Sequence, residues 1–345
     1  AIRKFTNVIV FDGVTIFFVL SGFLIGGILI KSIEKDGVGR SVLLNFWIRR
    51  WFRTLPNYML VLIVLCIFNT YYNHQFIIQT ATPFFIFSQN LFQPHPAFFH
   101  EAWSLSIEEW FYLTVPILIF ALVSLFRLNP KMAILTTALL VIIATTSYRY
   151  IRYESIVIND ANDWDLLFRK QVSTRLDSLM YGVIGAYVAF YSKNTWLRFK
   201  RPLLVLGMVL LIVARLLTHY SDYASLYACV FSFSIISLAT LLMLPFLSDL
   251  KSGKGWLYRS ITCISLISYS MYLLNLSIIQ RTIIANIEWS VISDIEWVLV
   301  ALKYMVYWLL TIGLSILLYK YFEVPMTKLR DHTKLKTWIS TSTKH

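Results

Sequence analysis

The chain has 345 residues, of which 58% are hydrophobic and only 14% are charged. Soluble domains contain roughly 45–50% apolar and about 25% charged residues, so a water-soluble fold would leave too much apolar surface exposed. The net charge of +13 does not indicate a nucleic-acid partner, because the basic residues lie in short loops between long apolar runs.

Nine apolar stretches are candidates for membrane-spanning helices, each of which needs about 20 residues. They are 9–30, 55–72, 105–126, 132–147, 178–191, 203–218, 224–248, 260–280 and 297–319. We therefore predict an all-α fold, a polytopic integral membrane helical bundle that forms a single domain over residues 1–345. The stretch 76–92 contains Pro83 and several polar residues, and is predicted to be a loop or partial helix.

Lysines and arginines are distributed unequally over the alternate loops. Of the 31, 21 lie on the side of the tail at about 320–345, and 8 lie on the other side. Cytoplasmic loops carry an excess of these residues, so the C-terminus is predicted to be cytoplasmic. Nine spans then place Ala1 outside, and we expect that a first span is absent.

The segment 41–56 repeats apolar and basic residues with helical spacing. Its apolar positions are Leu44, Trp47, Trp51 and Leu55, and its basic positions are Arg49, Arg50 and Arg53. The pattern predicts a basic amphipathic helix over about 41–55 at the membrane surface, ending near Pro56. It is either a surface anchor or a cationic site, in which Arg50 and Arg53 bind phosphate groups of a cytosolic donor bidentately.

The segment 100–116, HEAWSLSIEEWFYLTVP, places Glu108 and Glu109 at the outer end of a predicted span. One explanation is the helix dipole, which favours acidic residues near an N-terminus. However, carboxylates at a membrane edge are costly unless they are solvated or paired. Ser104, Glu108 and Tyr112 share one helix face, so the alternative is a functional polar stripe that points into the bundle.

Arg175 and Asp177 flank the start of the span 178–191, either as a charge pair or as part of a site. Gly182 in the same segment permits close packing of helices. The six histidines lie outside the spans and lack metal-ligand spacing, so no metal site is predicted. Among them His100, three residues before Trp103, is the best candidate for a base.

Six segments, taken together and in order, resemble the acyltransferase family 3 of polytopic membrane enzymes. They are GVTIFFVLSGFLI at 13–25, RRWFR at 49–53 with Pro56, WSLSIEEWFY at 103–112, RLDSL at 175–179, ISYSMYL at 267–273 and YFEVP at 321–325. The segment at 103–112 is the most specific of them. The resemblance covers about residues 11 to 330.

The resemblance also exposes departures from the family pattern. Family members have ten spans, and their first helix carries a basic residue followed eleven positions later by a catalytic histidine. Here Arg3 and Lys4 are followed at that distance by Val14 and Thr15, so we expect that the first helix and its base are missing. Thr15 also replaces a usual Asp, and Asn275 replaces a frequent His.

The resemblance implies transfer of an acyl group, acetyl from acetyl-CoA, to a hydroxyl of a cell-surface or lipid-linked carbohydrate. In this interpretation Arg50 and Arg53, with Arg49, hold the CoA phosphates, and no cofactor is tightly bound. Glu108, Ser104, Tyr112 and His100 are the predicted catalytic residues. Predicted substrate-binding or structural residues are Trp103, Glu109, Arg175, Asp177, Tyr269, Tyr272 and Ser21.

Two rival functions stay open at this point. The first is a catalytically degenerate family member, such as a scaffold in polysaccharide export, which the missing base would explain. The second is a transporter, although no inverted repeat or pair of interrupted helices is evident. In each case the expected location is the inner membrane of a bacterium, with membrane lipid as a partner.

Overall fold

The computed structural model describes residues 12–72, 76–250, 253–292 and 295–330, and this part of the chain contains helices and no strand. The predicted all-α class is confirmed. We number the longer helices α1 Gly13–Asp36, α2 Arg40–Tyr72, α3 Ala102–Phe126, α4 Pro130–Ser155, α5 Leu176–Tyr191, α6 Lys200–Tyr220, α7 Ser232–Leu247, α8 Trp256–Leu274 and α9 Glu296–Leu318. Each corresponds to one predicted span.

Eight of the helical segments are long and apolar enough to cross a membrane, and α5 is a shorter apolar helix. Four stretches are π-helical: Asp165–Arg169, Tyr227–Phe231, Asn275–Ile283 and Tyr319–Glu323. The last three extend α7, α8 and α9, and α9 continues further as Val324–Arg330. The first part of the predicted tail is therefore helical, and its part beyond residue 330 lies outside the described residues, as does the start of the span predicted at 9–30.

Local sequence accounts for two of the helix ends. α1 ends before Gly37, whose φ of +76° is a conformation that glycine adopts without steric cost. α4 begins after Asn129, whose side chain accepts a hydrogen bond from the backbone N–H of Lys131 at 3.1 Å. Pro130 occupies the first position of α4, where a missing N–H is tolerated.

The predicted end of a helix near Pro56 is wrong, because α2 runs through this proline for 33 residues. Proline is tolerated in spanning helices when side chains and neighbouring helices satisfy the freed backbone groups. Pro56 lacks the N–H that would bond the Phe52 carbonyl four residues earlier. Close to this position, the Thr54 hydroxyl donates to the Arg50 carbonyl at 3.2 Å, and the Tyr269 hydroxyl donates to the Thr54 carbonyl at 2.7 Å. In contrast, the stretch 76–92 holds only the short helices Ile78–Ala81 and Thr82–Phe85, as predicted.

The described residues fall into two compact units. The first comprises 12–43, 90–95 and 103–250, and the second comprises 44–72, 76–89, 96–102, 253–292 and 295–330. In the first unit α5 packs against α1, α4 and α7, and α6 packs against α7. In the second unit α8 packs against α9. That the whole chain acts as one domain stays a prediction.

Helices α1 and α5 meet at two glycines, which let their backbones touch. A Cβ atom at Gly22 would lie 1.9 Å from the carbonyl oxygen of Leu179, and one at Gly182 would lie 2.1 Å from that of Val19. Real atoms do not approach so closely, so a side chain at either position would push the helices apart. The close packing expected at Gly182 is confirmed.

We expect Gly22→Ala to lower the thermal stability of the detergent-solubilised protein, because overpacking costs about 1–3 kcal/mol. The control is Gly27→Ala on the same helix, where the nearest atom to an added Cβ, the Ala186 Cβ, is 4.0 Å away. Thermal unfolding followed by size-exclusion chromatography compares the two variants. Equal unfolding temperatures for both would contradict the role of Gly22.

Candidate active site

The carboxylate of Glu108 lies inside the first unit, in the second turn of α3. The Ser21 hydroxyl of α1 donates a short hydrogen bond to Glu108 Oε1, and Ser21 Oγ lies 3.4 Å from the Tyr112 hydroxyl. Glu108 is 5% exposed, and Ser104 and Tyr112 on the same face of α3 are also buried. The predicted polar stripe therefore points into the protein and brings together three predicted site residues, Glu108, Tyr112 and Ser21.

Trp103, at the start of α3, is fixed on two sides of its ring. Its ring packs edge-to-face on Phe18 with centroids 6.1 Å apart, and the Arg169 guanidinium lies 5.2 Å from its centroid. The side-chain amide of Asn90 donates to the carbonyls of Trp103 and Lys170, at 3.0 and 2.7 Å. These contacts hold the first turn of α3, from which the stripe of Ser104, Glu108 and Tyr112 begins. The neighbouring Glu109 is also buried.

Asp177 forms an ion pair with Arg149, and Arg175 is not its partner. Arg149 Nη2 lies 2.7 Å from Asp177 Oδ2, and both side chains are fully buried. Ser234 of α7 donates to the same carboxylate oxygen at 2.9 Å, and Arg149 also donates to the Thr174 carbonyl at 2.9 Å. One of the two alternatives for Arg175 and Asp177 is a charge pair with each other; Asp177 instead pairs with Arg149, and this pair joins α4, α5 and α7.

Arg175 instead points to α1. Its Nη2 donates to the Thr15 hydroxyl at 2.6 Å, and Thr15 donates in turn to the Asp12 carboxylate at 2.5 Å. The guanidinium carbon lies 4.1 Å from the ring centroid of Phe233 and 5.5 Å from that of Phe18. Thr15, identified as a departure from the family pattern, thus links an arginine to a carboxylate one turn earlier.

Sequence reasoning missed Arg149, which falls just after the predicted span 132–147. A signal was present in α4, since the buried residues Thr137, Thr145 and Arg149 follow one another at multiples of four positions. Such spacing places polar side chains on one helix face. A single basic residue on that face of a spanning helix indicates a buried partner.

In the second unit, the arginines of the segment 41–56 lie in the first half of α2. Arg49 and Arg53 are exposed and Arg50 is half-buried. On the same segment Trp47 and Trp51 stack with centroids 5.9 Å apart. Exposed guanidinium groups on one helix segment can hold phosphate groups of a donor.

A buried carboxylate, Glu323, lies at the end of the π-helical extension of α9. It accepts hydrogen bonds from the Asn57 amide and from the Ser270 hydroxyl, both at 2.8 Å. The positive charge of Arg53 also attracts the Glu323 carboxylate. Glu323 therefore joins α2, α8 and the end of α9. Tyr269, a predicted site residue next to Ser270, donates to the Thr54 carbonyl as described above.

A second carboxylate in this unit, Glu101, lies directly before α3 and next to His100. It accepts hydrogen bonds from the backbone N–H groups of Leu276 and Ser277, at 2.9 and 2.7 Å, and from the Ser277 hydroxyl. Burial raises the pKa of Glu101, and the hydrogen bonds from Ser277 oppose this effect. Sequence reasoning missed Glu101, although it lies inside the segment 100–116.

His100 and Tyr272 are bound to the same cluster through backbone groups. The backbone N–H of His100 donates to Ser277 Oγ at 3.0 Å, and the Tyr272 hydroxyl donates to the carbonyl of Glu101 at 3.1 Å. In this way the cluster fixes the main chain beside the imidazole of His100, which is half-buried. Among the described residues no group of three or more His, Cys, Asp or Glu side chains could hold a metal ion.

Comparison with known proteins identifies related sequences. A family model described as an acyltransferase domain matches residues 3–320. The peptidoglycan O-acetyltransferase OatA of Listeria monocytogenes is 34% identical over 137 residues, which are 35% of this chain and 21% of the relative. O-acetyltransferase OatA of Staphylococcus aureus is 30% identical over 191 residues, 52% of this chain and 30% of the relative. The chain thus matches less than a third of the length of either relative. No solved structure matches.

We expect Asp177→Asn to destabilise the protein strongly, because breaking a buried ion pair costs about 3–5 kcal/mol. The control is Asp249→Asn, which removes the partly exposed pair of Asp249 with Lys200 and should cost only about 0–1 kcal/mol. Unfolding temperatures in detergent measure both effects. A loss of stability as small in the Asp177 variant as in the control would show that the buried pair is not a structural link.

Proposed function

Because this chain belongs to the acyltransferase family, whose domain model matches residues 3–320, we propose that it transfers an acetyl group to a hydroxyl of a cell-wall carbohydrate. It is an integral, multi-pass membrane protein. The names of the two relatives support the acetyl group and, for one of them, peptidoglycan as the acceptor. The observation that carries the proposal is the buried Glu108, hydrogen-bonded to Ser21 within the segment 103–112.

The proposed chemistry needs a way to activate a sugar hydroxyl, which is a poor nucleophile at neutral pH. A carboxylate held by Ser21 and next to the Tyr112 hydroxyl can accept a hydrogen bond from the acceptor sugar and orient it. We assign this positioning role to Glu108, with Ser104 and Tyr112 on the same helix face. Within this sequence His100 is the candidate for the base, supported by a main chain that Ser277 fixes.

We propose acetyl-CoA as the donor, bound at the basic segment of α2. Three arginines within five positions, two of them exposed, supply bidentate donors for the phosphate groups of CoA. The excess of basic residues in the loops on the side of this segment supports a cytoplasmic position for it. By the same rule the C-terminus is cytoplasmic, and the acceptor, external or lipid-linked, is on the opposite side of a bacterial inner membrane.

The first test of the function compares Glu108→Gln with the wild-type protein, each produced in a bacterium that lacks its own wall O-acetylation. Wild type should add acetate that mild alkali releases from purified cell wall. We expect a 10- to 100-fold lower rate for the variant, because a hydrogen bond to a charged group contributes about 1.5–3 kcal/mol.

Glu154→Gln is the control, because Glu154 is exposed on α4 and should leave the rate unchanged. All forms are quantified in the membrane, so that the rate refers to equal amounts of protein. Equal acetate with wild type and Glu108→Gln would refute the site, and no acetate with wild type would favour a degenerate family member.

The donor site is tested with Arg53→Ala in membranes supplied with acetyl-CoA. We expect the KM for acetyl-CoA to rise about 10- to 100-fold, because hydrogen bonds to charged groups contribute about 1.5–3 kcal/mol. Arg40→Ala is the matched control, since Arg40 is an exposed arginine on the same helix. An unchanged KM in the Arg53 variant would contradict phosphate binding at this segment and leave it as a surface anchor.

A further inference from the structure

The guanidinium of Arg175 has more hydrogen-bond donors than the surrounding protein uses. The side chain is fully buried, and only Nη2 has an acceptor described here, the Thr15 hydroxyl at 2.6 Å. Arg175 Nε and Nη1 have no hydrogen-bond acceptor among the described residues. Buried polar groups are almost always hydrogen-bonded, because leaving a charged donor without an acceptor is costly. The unused donors indicate that an oxygen atom from a ligand binds here.

The group is also rigidly held. Phe233 lies against the guanidinium at 4.1 Å and Phe18 at 5.5 Å, so two aromatic rings occupy space beside it. Thr15 is itself fixed by its hydrogen bond to Asp12. Hydrogen-bond donors that are already in position before the substrate binds can stabilise a charge that develops during a reaction, because the protein does not need to reorganise around it.

The charges around Arg175 leave one positive charge in excess. Arg149 pairs with Asp177, and Asp165 is shared by Arg169 and Lys170. The remaining carboxylate, Asp12, is linked to Arg175 through Thr15. In this described cluster the cations therefore outnumber the carboxylates by one, which favours an oxygen with a single negative charge.

One face of α1 connects this cluster with Glu108. Thr15 accepts the hydrogen bond from Arg175, Phe18 packs against Arg175 and Trp103, and Ser21 donates to Glu108. These three residues recur at every third position, so each is the surface neighbour of the next along the helix. Six residues correspond to about 9 Å along the axis, so Arg175 and Glu108 contact α1 at positions less than two turns apart.

We propose that Arg175 binds the carbonyl oxygen of the acetyl group during transfer, an assignment that rests on the function proposed above. The acceptor hydroxyl oxygen bonds to the carbonyl carbon and gives its proton to a base, while the carbonyl π electrons move to the carbonyl oxygen. An unused N–H of Arg175 donates to this oxyanion. The C=O bond then re-forms, the bond from carbon to the donor sulfur breaks, and the thiolate of CoA leaves.

The test measures kcat and KM of purified Arg175→Gln and Arg175→Lys with acetyl-CoA and cell-wall glycan. We expect kcat to fall about 10²- to 10³-fold, as for loss of an oxyanion-binding donor, with both KM values unchanged. Arg198→Gln is the control, because Arg198 is exposed and lies over the ring of Phe199 at the same 5.5 Å; its kcat should equal that of wild type. An unchanged kcat, or a change in KM alone, would overturn the assignment.

If the Arg175 variants do not fold, a second pair of variants tests the role of Arg175. Thr15→Val removes the hydroxyl that positions Arg175, and Thr15→Ser keeps it. We expect kcat to fall about 10-fold in the first, as loss of a hydrogen bond to a charged group implies, and to stay at the wild-type value in the second. Equal kcat values for both would refute the role of Arg175. A wild-type protein without any acetyl transfer would refute instead the proposed function.

Discussion

The ion pair between Arg149 and Asp177 is the constraint on which the first unit depends. Two charges without exposure to solvent are stable only when each has its partner and its remaining hydrogen bonds, and here α4, α5 and α7 supply them together. Because Asp177 is engaged in this way, Arg175, two residues earlier, is directed to α1. The position of the pair thus determines which of two neighbouring charges is available for chemistry.

Much of the fold and part of the site could be predicted from sequence. The apolar runs predicted all nine long helices, and the spacing of Ser104, Glu108 and Tyr112 predicted a buried stripe, because both depend on local periodicity alone. The partner of the stripe, Ser21, lies 87 residues away, and periodicity carries no information about which helices meet. It entered the prediction only through the resemblance of its segment to a family.

The features that sequence reasoning missed, at Pro56 and Glu101, also depend on contacts between residues far apart in the chain. A proline such as Pro56 locally predicts a helix end, whereas α2 continues through it in a folded environment that includes Tyr269, 215 residues from Thr54. In the sequence, Glu101 is one of several acidic residues near the start of a helix, and the helix dipole alone explains an acidic residue at such a position. Its hydrogen bonds to a π-helical segment 176 residues later are invisible until the chain is folded.

The hydrogen bond between Asn57 and Glu323 joins residues 266 positions apart, and this separation has a consequence for biogenesis. Chains are synthesised at about 5–20 residues per second, so Asn57 is synthesised on the order of tens of seconds before its acceptor, Glu323. During that time α2 is already synthesised with a polar group that lipid cannot satisfy. The second unit is therefore completed only after its last helix leaves the ribosome.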